Sequence, residues 1–582
     1  MADPIAALAR RGVLAALVTA LLLCLLPGHA PMTQAAGRVA DPARVRCPSL
    51  AYARSLAGDK NPDGSHVRSR LDARGRYVPV VMIHGWTGRS AHTDKRDGAF
   101  SHLIDLTTVA GGKADVKRSL IGQLQRIPGA AVYTFDYHEY SGRWVDDRQL
   151  GPAFGEALDC LFRASGEKAV VVGHSMGGLV ARWALTHRAK DGRDRTDEVS
   201  TVVTFGTPEE GSLAADLLAG ATGSPAFAVL RTLLAFCGEA TSRQLTTGSL
   251  CDVLPDGVAS FDSTAGRALR AGSADLRALK PFPRSVHLAA LAGDTHMMTD
   301  GIGWFGLRPW GNVDVPMGDM IVSRGSALAA ADEEQAARCS YELNAVRSSG
   351  DSLALRLNLV ASSDVPRPIW EVGAMPCFHS SLMRTIQLTN TATGVISEDI
   401  TGRSLLDLHT VDWRNAEIPG GLCRSPGPIR LRNGVAVNVP SDFDGPEDNF
   451  PQDVYAFTDK VVHGDLTGDG RDEAALPVMC ANHDSTAAGQ TAMGVMVFDG
   501  LGGRPKLIGT LTSQQERLGE PPNFIEVRRI GRGRIVADET FYGSADANCC
   551  PSGRATDIWS YADGKLTPKG STVTVEPTRE RT

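Results

Sequence analysis

An excess of charge of one sign is absent from the sequence. Its 60 lysines and arginines face 66 aspartates and glutamates, for a net charge of −6. A polyanion partner would need a basic stripe or patch, so no nucleic-acid binding is expected. Glycine (62) and proline (32) are scattered without a three-residue period, which excludes a collagen-like chain. The hydrophobic fraction of 42% is enough to bury a core, and 582 residues favour two or more domains.

Long apolar runs are absent except for one near the N-terminus. Arg10 and Arg11 precede the apolar run 12–27, and small residues follow it. The run is shorter than the roughly 20 residues that span a bilayer. It therefore favours a signal peptide, residues 1–36, over an uncleaved anchor. We expect a secreted, extracellular protein with no stable transmembrane segment after signal removal.

A metal-binding cysteine pattern is also absent, because no C-x-x-C pair with matching histidine spacing occurs. Of the eleven cysteines, Cys24 lies in the apolar run and would leave with the signal. An even number in an exported chain predicts disulfides, here five. The ten cysteines that remain are Cys47, Cys160, Cys237, Cys251, Cys339, Cys377, Cys423, Cys480, Cys549 and Cys550.

Short apolar, β-branched runs alternate with helical patterns from about Tyr77 to Leu382. This alternation is typical of a parallel sheet with crossover helices, whose strands are buried on both faces. An insertion at about 212–283 is too long for a simple strand-to-helix connection. The predicted strands are Val78–Ile83, Ala131–Tyr137, Ala169–Val172, Thr201–Phe205, Val286–Ala292 and Met320–Val322.

The pattern changes beyond roughly Thr410. Strand-like pieces are separated there by Gly, Pro, Asn and Asp, which predicts a second, mostly β domain. The pieces are Gly434–Val439, Met493–Phe498, Lys506–Thr512, Phe524–Ile530 and Thr556–Tyr561.

The strongest local motif is Gly173-His174-Ser175-Met176-Gly177, with an apolar strand before it and a helical pattern after it. In this context G-x-S-x-G forms a tight strand-to-helix turn that exposes the Ser175 hydroxyl near the positive helix N-terminus. Gly173 and Gly177 are needed because side chains would collide across the turn. Ser175 is therefore the predicted nucleophile.

A second strand end, in the segment VVMIHGWTG, opens into a loop whose backbone N–H groups can face a developing oxyanion. The expected donors of this oxyanion hole are the amides of Trp86, on the loop, and Met176, directly after the nucleophile. His84 is expected to brace the loop by hydrogen bonds rather than to act in catalysis.

Several segments together resemble the lipase and esterase branch of the α/β-hydrolase superfamily, especially secreted bacterial lipases. The resemblance implies an α/β-hydrolase fold, a mostly parallel sheet flanked by helices. It also implies a catalytic domain at 37–410, with the insertion in the position of a lipase lid or, equally, of an immobile cap. Residues 411–582 are not covered and would form an accessory domain of unknown role. The matching segments are VVMIHGWTG, VVVGHSMGGLVAR, VTFGTPEEGS, VHLAALAGD, MGDMIVSRGSAL and CFHSSL.

A serine nucleophile needs a histidine to take its proton and a carboxylate to orient that histidine. In this fold both follow the serine, with the acid before the histidine. His379, in CFHSSL, matches the family's histidine loop, and Asp319, in MGDMIVS, matches its acidic loop. Asp294, which follows the run Val286–Ala292, is the alternative acid at a strand end.

Two disulfides are expected near these residues. A bridge between Cys339 and Cys377 would limit the motion of the histidine loop, because Cys377 lies two residues before His379. A bridge between Cys237 and Cys251 would close a short loop within the insertion. Spacing alone leaves other pairings open.

A possible calcium loop lies in the C-terminal region. Oxygen side chains alternate there at Asp465, Thr467 and Asp469, and Arg471 and Glu473 follow. Calcium takes six to eight oxygen ligands around a tight loop, and the segment is similar to calcium loops of β-propeller repeats. A solvated Gly-Asp turn is an equal alternative.

These motifs predict a serine hydrolase that cleaves carboxylic esters, in particular lipid acyl esters, with no required cofactor. The expected partners are a small-molecule or lipid ester and a lipid interface. Acyl transfer, thioester hydrolysis and peptide hydrolysis remain alternatives on the same fold. A non-catalytic protein that binds an envelope or polymer through a hydrolase scaffold is a further alternative.

Overall fold

The fold was analysed in a computed structural model of the chain. The chain divides into two compact units, Met1–Asp41 and Pro42–Thr582. The predicted signal peptide lies outside the described residues. No helix within the described ranges is long and apolar enough to cross a membrane. The structure describes residues 41–53, 69, 71–72, 75–86, 88, 100, 119–218, 263–299, 313–329, 331–347, 353–359, 367–368, 377–442, 451–469, 471–483, 491–519 and 521–577.

A ten-stranded mixed sheet is the centre of the N-terminal half. Its strands are β1 (Leu50–Tyr52), β2 (Val78–Ile83), β3 (Ala130–Phe135), β4 (Ala169–His174), β5 (Val199–Phe205), β6 (His287–Thr299), β7 (Val313–Gly318), β8 (Glu333–Arg347), β9 (Leu353–Leu359) and β10 (Arg367–Pro368). They lie in the order β1-β3-β2-β4-β5-β6-β8-β9-β10, with β7 paired to β6. The six strands from β3 to β8 in this order are mutually parallel, and the others are antiparallel to their neighbours.

Eight α-helices are described in this half. Sequence signals set several of their ends: the Ser119 hydroxyl caps the first, and Gly166 and Gly402 end two others in the left-handed conformation. The helices are α1 (Leu120–Gln125), α2 (Gly151–Ser165), α3 (Met176–Leu185), α4 (Leu213–Leu218), α5 (Thr264–Ala268), α6 (Ala274–Ala278), α7 (Arg324–Leu328) and α8 (Ile386–Thr401).

Helices cover both faces of the parallel strands, which explains their continuous apolar sequences. Val80 and Met82 of β2 share a core with Leu388 of α8 and Leu124 of α1. The intervening Val81 is also fully buried, and α2 and α3 contact β4 on its way to the site. The predicted α/β architecture is therefore confirmed.

The C-terminal region contains separate antiparallel sheets, as predicted. A two-stranded sheet pairs β11 with β12, a six-stranded sheet has the order β13-β14-β16-β17-β18 with β15 on β16, and a four-stranded sheet runs β19-β20-β21-β22. The strands are β11 (Glu417–Ile418), β12 (Ile429–Arg430), β13 (Val435–Val439), β14 (Gln452–Ala456), β15 (Val462–Gly464), β16 (Glu473–Asn482), β17 (Ala492–Asp499), β18 (Lys506–Leu511), β19 (Phe524–Gly531), β20 (Arg534–Phe541), β21 (Gly553–Ala562) and β22 (Lys565–Val575).

The six-stranded sheet buries apolar residues on both faces. On one face Val495 and Val497 pack against Ile535 and Trp559 of the four-stranded sheet. On the other face Phe498 and its neighbours pack against the segment 406–431. A disulfide between Cys423 and Cys480 joins that segment to β16.

The structure corrects one predicted strand, Met320–Val322. β7 ends at Gly318, and the residues after it form a turn. Asp319 Oδ1 accepts hydrogen bonds from the amides of Ile321 (3.0 Å) and Val322 (2.6 Å), so these amides are not available for strand pairing.

The predicted Cys339–Cys377 bridge is confirmed, with Cα atoms 6.1 Å apart. The predicted Cys237–Cys251 bridge and most of the insertion, 219–262, lie outside the described residues. The chain also contains a bridge between Cys47 and Cys160.

Candidate active site

Ser175 lies in the sharp turn between β4 and α3. Its backbone has φ 55° and ψ −131°. Residues other than glycine rarely adopt a positive φ. The amide of Ser175 donates to Phe205 O of the neighbouring strand (2.9 Å), and Thr207 Oγ1 donates to Ser175 O (3.0 Å). The turn is therefore held in this conformation by the end of β5 and the residues that follow it.

The glycines of the turn allow a close approach of three backbone segments. A Cβ on Gly173 would lie 2.7 Å from the amide nitrogen of Gly178 across the turn. A Cβ on Gly177 would lie 2.5 Å from Ile83 O and 2.6 Å from His84 O. These distances are shorter than those that real Cβ atoms make, so a side chain at either position would collide with the backbone. This is the steric reason for which both glycines were expected.

His379 and Asp319 form a buried pair. His379 begins a short 3-10 helix, His379–Arg384, and its Nδ1–H donates to Asp319 Oδ2 at 2.7 Å. The backbone amide of His379 also donates to Asp319 O (3.0 Å). Asp319 is 1% exposed and His379 is 8% exposed. Since Asp319 Oδ1 accepts two backbone amides of its own turn, the carboxylate is held on both oxygens.

Two glycines that sequence reasoning missed lie against this pair. A Cβ on Gly206 would lie 2.6 Å from Asp319 Oδ2 and 3.0 Å from His379 Nδ1. A Cβ on Gly293 would lie 2.8 Å from the Asp319 Cβ and would overlap Cys377 O. Both glycines stand in segments that resemble the family, VTFGTPEEGS and VHLAALAGD, but no local signal indicates either contact.

The loop after β2 lies directly beside the serine. A Cβ on Gly85 would be 3.1 Å from Ser175 Oγ. His84 braces this loop, as expected: its Nδ1–H donates to Gly85 O (2.8 Å), and Tyr137 Oη donates to His84 O (2.7 Å). Burial, followed by the charge of Asp136, raises the pKa of Tyr137 well above its usual value, so its hydroxyl keeps its proton.

The two expected oxyanion donors belong to the elements that meet at Ser175. Trp86 follows Gly85 on this loop and is half-buried. Met176 is the first residue of α3 and fully buried, and the first amides of a helix have no acceptor within the helix. Met176 directly follows Ser175, and Trp86 directly follows Gly85, whose added Cβ would lie 3.1 Å from Ser175 Oγ. Their role as oxyanion donors stays a prediction.

Asp294, the alternative acid, lies inside β6 rather than after a strand. Its carboxylate faces His296 Nε2 at 3.4 Å and Arg324 Nη1 at 3.8 Å. The carboxylate that is hydrogen-bonded to His379 is that of Asp319, so the geometry favours the later aspartate.

The predicted calcium-loop residues bond mainly to one another. Within the described residues, no group of three or more His, Cys, Asp or Glu side chains is placed to hold a metal ion. The bonds are Gly468 N to Asp465 Oδ1 (2.7 Å), Arg471 N to Asp469 Oδ1 (2.9 Å), Thr467 N to Glu473 Oε2 (3.0 Å) and Thr467 Oγ1 to Glu473 Oε1 (3.2 Å).

Burial raises the pKa of Glu473 to about 8, against the lowering effect of the Thr467 and Leu466 amides. Arg471 Nη2 donates to Leu406 O (2.6 Å). A carboxyl group must lose its proton to bind calcium, so calcium would have to displace this proton as well as the hydrogen bonds within the loop. Calcium binding at this loop stays a prediction.

The sheet order, the strained serine at a strand-to-helix turn and the buried acid–histidine pair together define an α/β-hydrolase fold. The pair follows the serine in the chain order typical of that fold. The predicted α/β-hydrolase fold is therefore confirmed.

Comparison with known proteins gives a match at the same place in the chain. The sequence profile of the family described as PGAP1-like alpha/beta domain matches residues 161–217, which include the turn at Ser175. No curated protein sequence matches the chain.

Similar solved structures include lipases at low sequence identity. The mature Bacillus licheniformis lipase BlEst2 is 18% identical, with 50% of this chain and 91% of that chain covered and a TM-score of 0.27. The propeptide form of the same lipase is 12% identical, with 90% and 100% covered and a TM-score of 0.29. The Staphylococcus hyicus lipase is 15% identical, with 54% and 93% covered and a TM-score of 0.26.

Proposed function

We propose that the protein is a secreted serine hydrolase that cleaves carboxylic esters, in particular lipid acyl esters. The observation that carries the proposal is the buried His379–Asp319 hydrogen bond of 2.7 Å, which His174 links to the turn of a serine with φ 55°. Backbone strain of this kind is costly and is concentrated at functional sites. The four described disulfides support export, because such bonds persist in oxidising compartments.

In the proposed reaction, Ser175 Oγ attacks the ester carbonyl. The bond from His379 Nδ1 to Asp319 leaves Nε2 to take the serine proton and then to protonate the leaving alcohol. Asp319 holds the ring orientation and stabilises the imidazolium. The amides of Trp86 and Met176 stabilise the oxyanion, and one such donor contributes about 3–4 kcal/mol to the barrier reduction. Water then hydrolyses the acyl-enzyme with the same base, and no cofactor takes part.

The proposal is tested by covalent labelling with a fluorophosphonate and peptide mapping, followed by assays on p-nitrophenyl esters of increasing acyl length. We expect one label, on Ser175, and no label on a Ser175→Ala variant. Ser200→Ala is the matched control, because Ser200 lies near the other end of β5 and bonds to Asp399. Ester turnover without labelling of Ser175 would contradict the proposed mechanism. Labelling without turnover of any ester would favour acyl transfer or the thioesterase and peptidase alternatives.

A further inference from the structure

Two adjacent cysteines form a disulfide in the loop between β20 and β21. Cys549 and Cys550 are one residue apart in sequence, with Cα atoms 3.8 Å apart. The other described disulfides join residues separated by 113, 38 and 57 positions. The Cys549–Cys550 bond therefore closes only a ring within one dipeptide.

A ring of this size does little for the stability of the fold. Disulfides stabilise mainly by restricting long loops of the unfolded chain, and here no loop is enclosed. The loop is held by other contacts: Asp546 Oδ2 accepts the amides of Gly543 (2.7 Å) and Ser552 (2.9 Å). The Cys550 amide donates to Ala547 O (2.9 Å). None of these bonds involves the sulfur atoms.

The two sulfurs are also accessible. Cys549 and Cys550 are both exposed, whereas each of the cysteines 339, 377, 423 and 480 is at most 7% exposed. Thiol–disulfide exchange requires a thiolate to reach a sulfur. We therefore expect the exposed Cys549–Cys550 bond to react faster than the buried Cys339–Cys377 and Cys423–Cys480 bonds.

The positively charged side chain of Arg554 bonds to the backbone that follows the bridge. Arg554 Nη1 donates to Pro551 O (2.9 Å), the carbonyl that directly follows Cys550, and to Gly553 O (2.9 Å). A nearby guanidinium stabilises a cysteine thiolate, and a thiolate of lower pKa is a better leaving group.

We propose that Cys549–Cys550 is a thiol-exchange site that accepts low-molecular-weight thiols. A thiolate R–S⁻ attacks one sulfur, forms a mixed disulfide with it and expels the other as a thiolate. A second R–S⁻ then attacks the mixed disulfide, which releases R–S–S–R and a second protein thiolate. The protein gains two electrons, and two thiols are oxidised to one disulfide. If the freed cysteine attacks the mixed disulfide first, the ring closes again and the thiol is released.

The test is a titration of the full chain, purified without reductant, with reduced glutathione under native conditions. After alkylation with iodoacetamide, peptide mass mapping measures which cysteines have opened. We expect Cys549 and Cys550 to be alkylated at a glutathione concentration at least about tenfold below that which opens Cys339–Cys377 or Cys423–Cys480. Far-ultraviolet circular dichroism should not change at that step.

Two variants sharpen the result. Arg554→Gln should slow the exchange several-fold, whereas the matched control Lys565→Gln, on exposed β22, should not. The double variant Cys549→Ser/Cys550→Ser should lack the low-concentration step and keep the basal esterase activity. Opening of all described bridges at one glutathione concentration would overturn the proposal. So would a map of the untreated chain with Cys549 or Cys550 bonded to another cysteine.

Discussion

The Nε2–H of His174 donates a hydrogen bond to the backbone carbonyl of His379, 3.0 Å away, and the two rings lie 4.8 Å apart. His174 directly precedes Ser175 in the turn after β4. The bond therefore links the turn that carries the proposed nucleophile to the loop that carries the proposed base. Because this hydrogen bond is buried, we expect it to help fix the position of His379.

Replacement of His174 by phenylalanine keeps a ring in place but removes the donor. For His174→Phe we expect ester kcat to fall about tenfold or more, with KM nearly unchanged, since only the alignment of the base is disturbed. The free energy of unfolding should fall by about 1–3 kcal/mol because a carbonyl loses its donor. Steady-state kinetics and urea unfolding check this. The control is His187→Phe, an exposed ring stacked on Trp183, which should change neither.

Asp319→Asn should cut turnover by up to about 10⁴-fold, because an amide favours the wrong imidazole tautomer and cannot stabilise the imidazolium. Asp294→Asn is the matched variant and should cost far less, since its partners are His296 and Arg324. Both variants should be compared by kcat/KM and by thermal unfolding. If Asp294→Asn abolished activity and Asp319→Asn spared it, the two assignments would have to be exchanged.

Ser175→Ala and His379→Ala should each remove nearly all ester hydrolysis, because the two groups act in one step. The double variant should be about as inactive as either single variant, since the losses of such a unit are not additive. Hydrolysis rates of a p-nitrophenyl ester with all three variants check this expectation. A double variant whose loss equals the product of two independent losses would argue that the residues act separately.

Gly85→Ala should impair catalysis without loss of the fold. The new Cβ would lie 2.5 Å from the Ser175 Cβ and 3.1 Å from His174 O, so the loop that carries Trp86 must shift. A displaced oxyanion donor typically lowers kcat by about 10²-fold or more. Gly325→Ala is the control, because no atom lies within 4 Å of its added Cβ. Equal kcat values for these two alanine variants would remove the proposed role of the loop.

The stability of the C-terminal region should depend on pH through Asp557. Burial, followed by Glu539 and Asp538, raises the pKa of Asp557 to about 7. Between about pH 4, where an unfolded aspartate titrates, and pH 7, the folded state holds a proton that the unfolded state has lost. The contribution of protonated Asp557 to the free energy of unfolding is thus complete below about pH 4, and it is lost as the pH rises to about 7.

Asp557→Asn removes this titration, so the variant should be more stable than the parent chain at pH 8, by at least about 1 kcal/mol. At pH 4 the difference should vanish or reverse. Urea unfolding at both pH values measures it, with Asp563→Asn, in the exposed turn between β21 and β22, as the control. A variant that is no more stable at pH 8 than the parent chain would show that folding does not raise the pKa of Asp557.

The amino-acid sequence could predict those elements whose signals are local. The β-branched runs of β2 to β6 are continuous because both faces are covered, and Ser175 stands between a strand and a helix with glycines on either side. β16 and β22 were not predicted, because Pro477 in one and Pro568 and Gly570 in the other resemble loop residues. Their pairing with neighbouring strands outweighs these local preferences.

The sequence by itself predicted the α/β class from its alternating strand and helix patterns and Ser175 from the motif of its turn. The Cys339–Cys377 bridge was expected from the position of Cys377 beside His379, with other pairings left open. It favoured Asp319 by resemblance but left Asp294 open as the alternative acid, because Asp319 precedes an apolar run, Asp294 follows one, and chain spacing does not report distance in space. Tertiary structure decided that choice, as well as the contacts of Gly206 with the pair and of His174 with His379. Each of these contacts joins residues from distant segments, whose approach depends on how the strand ends meet at one edge of the sheet.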